Sequence, residues 1–269
     1  MPLALNSIQF GEKSAPKLIL LHGLMGSSRN WLMVAKALST KFNVHVLDLR
    51  NHGQSPWSET MDWSDLSADL KGYCDRVCKD QSIYLLGHSL GGKCAMHFAT
   101  HFPERVEKLV VVDIVAKPYP PHFKKEFEAL LSLPVASLES RQEGLALLEE
   151  AIPDRLFRES LLANLRRIPF GLDSNPNPNP NLGFVWQPNI AVLYAHLETI
   201  RTNPLNTGDT FSNQTLLIKG GQSNFIELSD LPNMEVYFPK LDFVCLEPAG
   251  HNPHIDSKEE FVRILLNWL

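Results

Sequence analysis

Residues 83–102 read IYLLGHSLGGKCAMHFATHF, a stretch that indicates a strand, a tight turn and a helix in direct succession. Residues 83–86 are an apolar run typical of a buried strand, and residues 90–102 have helical character up to the next proline. Between them lies a G-x-S-x-G motif, in which glycines flank the serine because neighbouring Cβ atoms would collide in so tight a turn. A purely structural glycine-rich turn is the alternative. The strand before the motif and the helix after it favour Ser89 as a strained, exposed nucleophile above a helix N-terminus.

The alternation of strands and helices extends in both directions from this stretch. Strands are predicted at residues 17–21, 43–49, 83–86, 109–115, 215–219 and 243–247, and helices at residues 30–39, 65–78, 90–102 and 257–269. The strands are nearly continuous apolar runs, which favours a parallel sheet that is covered on both faces. The predicted fold class is therefore α/β, with a mostly parallel central sheet flanked by helices.

The strand pattern disappears between residues 116 and 211. Helices are predicted there at residues 121–132, 138–151, 155–167 and 191–201. Residues 175–181 alternate Asn and Pro, which cannot continue a helix and predict an exposed loop, or a polyproline-like linker. We therefore predict an α/β core of residues 1–115 and 212–269, with residues 116–211 as a helical cap or lid. Long excursions of this kind often cover an active site.

The composition disfavours several classes of protein. Of the 269 residues, 44% are hydrophobic and 20% are charged, and the formal net charge is −5 with no block of Lys or Arg. Nucleic-acid binding and a polybasic membrane anchor are therefore not expected. No apolar run approaches the roughly 20 residues that cross a bilayer, and no signal-peptide pattern opens the chain. We expect a soluble, cytoplasmic protein whose cysteines are reduced, buried thiols.

A serine nucleophile needs a base, and a late histidine is the expected one. His251 follows the last predicted strand and is preceded by Gly250, which lets the loop turn back toward the nucleophile. His254 is the rival, but it lacks the preceding glycine. His97 and His101 are four residues apart on one predicted helix, a spacing that can bind a metal. No third ligand is evident, so no metal site is expected.

The predicted position of the catalytic acid depends on Asn224, a residue that cannot itself act as the acid. Enzymes with a serine nucleophile on an α/β sheet often carry the acid after the strand that follows the lid, and Asn224 occupies that region here. Asn is neutral and cannot offset the charge of an imidazolium. Asp113 lies near the carboxyl end of the strand at residues 109–115, where catalytic groups gather in an open α/β sheet. Asp242 precedes its strand, and Asp230 and Glu227 follow no strand end. Asp113 is therefore the predicted acid, with a structural loop-capping Asp as the alternative.

The loop at residues 22–26, His-Gly-Leu-Met-Gly, is predicted to contribute to the oxyanion hole and to substrate binding. In an oxyanion hole of this kind, one backbone N–H donor comes from such a loop and another from the residue after the nucleophile, which indicates Leu24 and Leu90. His22 is expected to brace the loop. The predicted substrate-binding residues are Gly23, Met25, His88 and Trp186. Aromatic lid residues favour an apolar acyl group, although each can instead pack the lid onto the core: Phe123, Phe127, Phe157, Phe170, Phe184 and Trp186.

The chain resembles a known family over most of its length. The similar stretches are residues 22–27, 48–56, 87–92, 112–114 and 220–223, with lid fragments at residues 161–165 and around Trp186. They resemble the YbfF-like esterases and the ABHD11-like branch of the α/β-hydrolase superfamily. The resemblance implies an esterase or thioesterase on acyl substrates, without a cofactor, whose acid stands at the position of Asp113. The Asn-Pro stretch departs from the pattern.

The expected function is cleavage of a carboxylic ester or thioester through a Ser-His-Asp triad and an acyl-enzyme. The expected partner is a small acyl ester or thioester, with no nucleic acid and no integral membrane segment. Two alternatives stay open. A C–C bond hydrolase or lyase would use the same serine and histidine, and a binding protein would retain the pocket with little turnover.

Overall fold

The computed structural model describes residues 2–79, 81–121, 123–167 and 183–269. The strands within these ranges are β1 (Ser7–Phe10), β2 (Lys17–Leu21), β3 (Asn43–Leu47), β4 (Ile83–His88), β5 (Val106–Val112), β6 (Leu165–Arg167), β7 (Phe184–Trp186), β8 (Thr215–Gly220) and β9 (Leu241–Leu246). The α-helices are α1 (Leu32–Leu38), α2 (Trp63–Val77), α3 (Leu90–His101), α4 (Lys124–Ser132), α5 (Arg141–Leu147), α6 (Arg155–Leu162), α7 (Ile190–Ala195), α8 (Leu197–Ile200), α9 (Leu231–Tyr237), α10 (Pro253–Asp256) and α11 (Lys258–Trp268).

Seven strands form the central sheet in the order β1-β3-β2-β4-β5-β8-β9. Only β1 at the edge is antiparallel to its neighbour, and the other pairs are parallel. The predicted fold class, a mostly parallel α/β sheet flanked by helices, is confirmed. Strands β4, β5 and β8 lie side by side, so the segments that follow them meet at one edge of the sheet.

Alternate residues of the strands enter two separate cores, one on each face of the sheet. In β2, Ile19 and Leu21 belong to the larger cluster, which includes α2 and α3, whereas Leu18 and Leu20 belong to the cluster with α1 and α11. All four are fully buried. Burial on both faces explains why these strands read as continuous apolar runs rather than alternating ones.

The predicted strands and helices of the core are confirmed, with ends shifted by a few residues. Three elements were not predicted. Strand β1 is an edge strand with only partly buried residues, so its apolar signal is weak. Helices α9 and α10 are short, and a proline stands in the first turn of each.

Between β5 and β8 the chain leaves the sheet and forms α4 to α8. The predicted helix at residues 155–167 is wrong in its last part, because α6 ends at Leu162 and residues 165–167 form β6, which pairs antiparallel with β7. The predicted helix at residues 191–201 is divided at His196 into α7 and α8. The Asn-Pro stretch and Phe170 lie outside the described residues.

No helix in the described part of the chain is long and apolar enough to span a membrane.

Candidate active site

Ser89 lies in the turn between β4 and α3 with a left-handed backbone, φ 52° and ψ −117°. A non-glycine residue in this region carries about 1–3 kcal/mol of strain. The surroundings hold it there, because the Ser89 N–H donates to the carbonyl of Val112 and its own carbonyl accepts from Lys93 N–H. The strained turn presents the serine at the sheet edge, as the G-x-S-x-G motif predicts.

The flanking glycines are required by close packing. A Cβ on Gly87 would lie 2.1 Å from the carbonyl oxygen of Gly91. A Cβ on Gly91 would lie 2.6 Å from the carbonyl oxygens of Leu21 and His22. Helix α3 therefore approaches β4 and the end of β2 more closely than a side chain at Gly87 or Gly91 would allow.

Asp113 follows β5 directly and is fully buried, also with a left-handed backbone at φ 48°. Its carboxylate accepts three hydrogen bonds. Oδ1 accepts from the N–H of Gly220 at 2.9 Å, and Oδ2 accepts from the ring of His251 at 2.7 Å and from the hydroxyl of Ser223. Hydrogen bonds to an ionised acceptor are strong ones, and they hold this carboxylate in one orientation.

His251 lies in the loop between β9 and α10, and its side chain is 26% exposed. Because the carboxylate of Asp113 only accepts, Nδ1 of His251 carries the proton and donates it. In the neutral ring, Nε2 is then the acceptor nitrogen. The ring also stacks on Phe225 with 3.9 Å between centroids, which restricts its rotation.

Ser223 is a site residue that the sequence analysis missed. It is buried, and its hydroxyl donates to Asp113 while it accepts from the N–H of Phe225. The neighbouring Asn224 is exposed and has no side-chain hydrogen bond among the described residues. The similar stretch at residues 220–223 was the available signal, but a lone serine after a glycine pair carries no chemical pattern.

The other acids considered in the sequence are engaged elsewhere. Asp242 lies near the start of β9 and accepts from the indole of Trp268. Asp230 pairs with Lys117 at 2.5 Å, and Glu227 stands before the short helical turn that precedes α9. None of them contacts His251.

The loop after β2 is braced by two buried imidazoles. His22 accepts from the N–H of Leu49 and donates to the carbonyl of Gly23, and His52 accepts from the N–H of Met25 at 3.2 Å. Burial lowers the pKa of His22 and lowers that of His52 to about 3, so both rings are neutral. His22 therefore braces the loop, as expected, and the backbone N–H of Met25 is already paired.

The N–H groups of Leu24 and Leu90 have no acceptor within the described ranges. Leu24 is half-buried and Leu90 is buried, and both border the space above Ser89. Leu90 is also the first residue of α3, where helix N–H groups are unpaired by geometry. Two unpaired donors thus border the space above Ser89 from separate segments.

Two cavities meet at Ser89. The first, of about 330 Å³, is mostly apolar. The second, of about 460 Å³, is more polar and includes His251. Their described linings share Leu24, Ser89 and Phe123. The first is bordered by Leu90, Ile114, Tyr119, Leu197, Ile200 and Phe225 among others, and the second by Gly23, Met25, His88, Asn164, Gln187 and His254 among others.

The predicted substrate-binding residues do not all reach these cavities. Gly23, Met25 and His88 line the second cavity, whereas Trp186 lies on β7 and is absent from the described lining of both. Of the lid aromatics, Phe123 and Phe157 line the second cavity. Phe127 and Phe184 are buried in the core.

The remaining histidines and cysteines form no metal centre in the part of the chain that is described. The rings of His97 and His101 stack at 4.0 Å, and His97 hydrogen-bonds the hydroxyl of Ser67. All four cysteines are free, and Cys245 is the one that is partly exposed.

Lys93 carries a buried amino group one helical turn after Ser89, and no carboxylate among the described residues pairs with it. This group donates to the carbonyls of Thr202 at 2.6 Å, Lys117 at 3.1 Å and Arg201 at 3.2 Å. It also lies 4.6 Å from the ring centroid of Tyr119. Burial lowers its pKa to about 7. Lys93 therefore joins α3 to the start and to the end of the segment between β5 and β8.

Comparison with known proteins identifies the family. A model of the alpha/beta hydrolase fold family matches residues 16–258. A mouse protein named sn-1-specific diacylglycerol lipase ABHD11 is 30% identical, covering 100% of this chain and 85% of the relative. Esterase YbfF of Escherichia coli is 25% identical, covering 94% of this chain and 92% of the relative. A solved marine microorganism esterase superposes with a TM-score of 0.91 at 30% identity, covering 99% of this chain and 100% of that one.

The chain belongs to the α/β-hydrolase family. Within that family it belongs to the branch of YbfF-like and ABHD11-like proteins, and it is a hydrolase of the carboxylesterase type.

Proposed function

We propose that this hydrolase cleaves carboxylic ester or thioester bonds of apolar acyl substrates, with Ser89, His251 and Asp113 as a catalytic triad. The observation that carries the proposal is the 2.7 Å hydrogen bond between Asp113 and His251 in a cavity that Ser89 also lines. A nucleophile, a base and a group that orients the base are the parts that such catalysis requires.

The reaction begins when Nε2 of His251 takes the proton from the hydroxyl of Ser89 as its Oγ attacks the substrate carbonyl. Asp113 keeps Nδ1 protonated, so that Nε2 is the basic atom, and offsets the positive charge that the ring acquires. The tetrahedral intermediate collapses when His251 gives its proton to the leaving alcohol or thiol. Water then attacks the acyl-enzyme by the same route and releases the acid.

The negative charge on the carbonyl oxygen is stabilised by the N–H groups of Leu24 and Leu90. Their lack of other acceptors supports this role. Backbone donors of this kind are preorganised, and loss of one typically costs about 3 kcal/mol in the transition state. Because they are backbone atoms, the side chains of both residues are free to be apolar.

The acyl group is assigned to the first cavity and the leaving group to the second. His251 lines only the second cavity, and it must reach the leaving oxygen to protonate it. The first cavity has a mostly apolar lining, although Lys93, Lys124, Glu198 and Arg201 also border it. Its volume of about 330 Å³ is near the lower end of the range for small-molecule sites of roughly 300–1,000 Å³. An acyl chain of modest length fits this space.

We further propose that residues 116–211 act as a cap over the site. Residues of this segment, among them Phe123, Tyr194 and Leu197, supply much of the wall of the first cavity. The names of two relatives, a diacylglycerol lipase in mouse and an esterase in Escherichia coli, support an ester as the substrate. A cytoplasmic location stays a prediction.

The decisive experiment is covalent labelling with a fluorophosphonate. The wild-type protein is expected to label, and Ser89→Ala is expected to lose the label while it keeps its melting temperature. A folded wild-type protein that never labels would contradict the proposal and favour a binding protein with little turnover.

A substrate panel separates the reaction types on this scaffold. Nitrophenyl esters and CoA thioesters of several acyl lengths are compared with a vinylogous diketone, the substrate type of a C–C bond hydrolase. Turnover of the esters or thioesters is expected, and turnover of the diketone alone would favour the alternative.

A further inference from the structure

His254 is a buried side chain in the second cavity with no hydrogen-bond partner among the described residues. It is 3% exposed and lies between Trp31, stacked at 4.2 Å, and His88, whose ring centroid is 4.8 Å away. Its Nδ1 is sealed from solvent without a partner. Nε2 also has no partner within the described ranges but is not sealed, so it is the atom that His254 presents to the cavity.

His88 lines the same cavity and has a second unpaired nitrogen. Its Nε2 donates to the backbone carbonyl of His251 at 2.7 Å, so Nε2 carries the proton and Nδ1 is an acceptor. Nδ1 points toward Gly23, because a Cβ on that glycine would lie 2.9 Å from it. The ring centroids of His88 and His251 are 4.7 Å apart, so the two imidazoles are neighbours.

Both imidazoles are neutral over the physiological range. Burial lowers the pKa of His254 to about 3 and lowers that of His88 well below its ordinary value, with the neighbouring histidines adding to the effect. A buried N–H without an acceptor is rare, which favours the tautomer of His254 that carries its proton on the open Nε2. The pair then offers one donor and one acceptor and no charge.

A hydroxyl group complements such a pair because it both donates and accepts. The described lining of the second cavity includes one charged side chain, the exposed Arg29, and no carboxylate. A cationic leaving group therefore finds no counter-charge there. An ether oxygen would satisfy only the donor, and an alkyl group would satisfy neither nitrogen.

We propose that His88 and His254 bind a second hydroxyl group of the leaving alcohol, next to the ester oxygen that His251 protonates. The inference rests on the proposed function and specifies its substrate as an apolar acyl ester of a vicinal diol or larger polyol. His254 acts here as a binding residue for specificity.

The test compares three octanoate esters that share the acyl group: those of ethylene glycol, of its monomethyl ether and of propanol. The wild-type enzyme is expected to prefer the glycol monoester by about tenfold in kcat/KM, the effect of one well-placed hydrogen-bonded hydroxyl. The preference should appear mainly in KM, because the hydroxyl contact is the same in the ground state and in the transition state.

Two variants of His254 and one control variant test whether the preference for the glycol ester depends on His254. His254→Phe keeps an aromatic ring against Trp31 but removes both nitrogens, and its preference for the glycol ester is expected to disappear. His254→Gln places an amide N–H near the position of Nε2 and is expected to retain part of the preference. Ser160→Ala is the control, because Ser160 lines the same cavity but its hydroxyl already donates to the carbonyl of Phe157.

The outcomes are distinguishable from failure of the proposed function. Equal kcat/KM for the three esters in the wild-type enzyme, or an undiminished preference in folded His254→Phe, overturns this inference alone. If none of the esters is hydrolysed and Ser89 is not labelled, the proposed function fails and the inference fails with it. If His254→Phe does not fold, His254→Gln decides. An undiminished preference in that variant, or a loss that Ser160→Ala matches, overturns the inference.

Discussion

The position of Asp113 relative to Ser89 is determined by the pairing of two neighbouring strands, β4 and β5. Ser89 follows β4 and Asp113 follows β5, and these strands are paired in parallel up to His88 and Val112. Both residues have a left-handed backbone, which turns each chain sharply at the same edge of the sheet. The separation of the proposed nucleophile and acid is therefore set by strand pairing, with only the histidine supplied by a longer loop.

The first prediction concerns the proposed acid. Asp113→Asn is expected to lower kcat by about ten-thousand-fold, the size of effect seen when an orienting Asp becomes Asn and the imidazole takes the wrong tautomer. Asn224→Ala is expected to change kcat little, because Asn224 is exposed and has no side-chain partner among the described residues. Steady-state kinetics on one nitrophenyl ester measure both. A large loss in Asn224→Ala with a mild one in Asp113→Asn would reverse the assignment.

Single residues differ in how far the sequence reveals them. Asp113 and His251 were predicted because a charge and a base are needed at strand ends, and the structure brings them into contact at 2.7 Å. Ser223 was not predicted, because a hydroxyl that donates to a buried carboxylate leaves no pattern in the sequence. His254 was weighed only as a rival base, since burial and ring stacking are properties of the fold.

At the scale of secondary-structure elements, the end of β8 and the loop that carries His251 pack backbone to backbone. A Cβ on Gly220 would lie 1.9 Å from the carbonyl oxygen of Gly250, directly before His251. The N–H of Gly220 also donates to Asp113. The glycine thus allows the strand that supports the acid and the loop that supports the base to approach each other.

The second prediction follows from this contact. Gly220→Ala is expected to displace the loop of His251 and to lower kcat/KM by at least about a hundredfold, as misplacement of reacting groups by 1 Å does. Gly208→Ala is a matched control, because Gly208 has no heavy atom within 4 Å of an added Cβ, although its φ of 96° makes a modest loss of stability expected. Activity and melting temperature are measured for both. Full activity in Gly220→Ala would show that the loop position does not matter.

Elements also differ in how well periodicity predicts them. The strands buried on both faces and the long helices α2, α3 and α11 were predicted, because many apolar residues in succession leave a strong pattern. The pair β6 and β7 was missed, since three residues are too few for any period and Arg166 and Arg167 read as a continuing helix. Tertiary pairing, not local propensity, makes that segment extended.

At the scale of the whole molecule, the buried amino group of Lys93 holds the two crossings between the sheet and the proposed cap segment. Lys93 donates to Lys117 on the outgoing crossing and to Arg201 and Thr202 on the returning one. The crossings are also paired with each other, because the N–H of Tyr119 donates to the carbonyl of Arg201 at 2.9 Å. The cap segment is therefore fixed at its base.

The third prediction is a pH dependence of stability. Burial lowers the pKa of Lys93 from 10.5 to about 7, so between these values the unfolded chain holds a proton that the folded chain has lost. The free energy of unfolding is then expected to rise with pH across this window, by about 1 kcal/mol per pH unit from this group. Below the lower pKa the contribution is constant.

Lys93→Met removes this contribution while it keeps an unbranched side chain. Urea unfolding of both proteins, just below and well above the lower pKa, isolates the Lys93 part as the difference between their slopes. Identical pH slopes for the two proteins would mean that Lys93 stays protonated throughout, with its carbonyl acceptors outweighing its burial.

The fourth prediction tests the assignment of the first cavity to the acyl group. Leu197→Trp adds volume at its wall, in the cap segment and away from the described lining of the second cavity. The acyl-length optimum for nitrophenyl esters is expected to move to shorter chains, with kcat/KM for octanoate falling about tenfold or more while acetate changes little. An unchanged length profile would place the acyl chain elsewhere.

The architecture at this scale followed from the sequence because strands alternate with helices until residue 116 and resume near residue 215. The way the cap segment is attached did not follow, since a single lysine in a helix gives no sign of the carbonyls it will meet. Likewise, the division of the site into two cavities depends on where Phe123 and Leu24 stand after folding.

The attachment through Lys93 has a consequence for any attempt to make a lidless enzyme. Excision of residues 117–202 would remove all the described carbonyls that accept from this amino group. Water would replace them, and the group would regain its ordinary basicity and a permanent positive charge one helical turn from Ser89. A truncated enzyme of this kind therefore needs a second change, a neutral side chain at position 93. Only then does its activity report what the core contributes without residues 117–202.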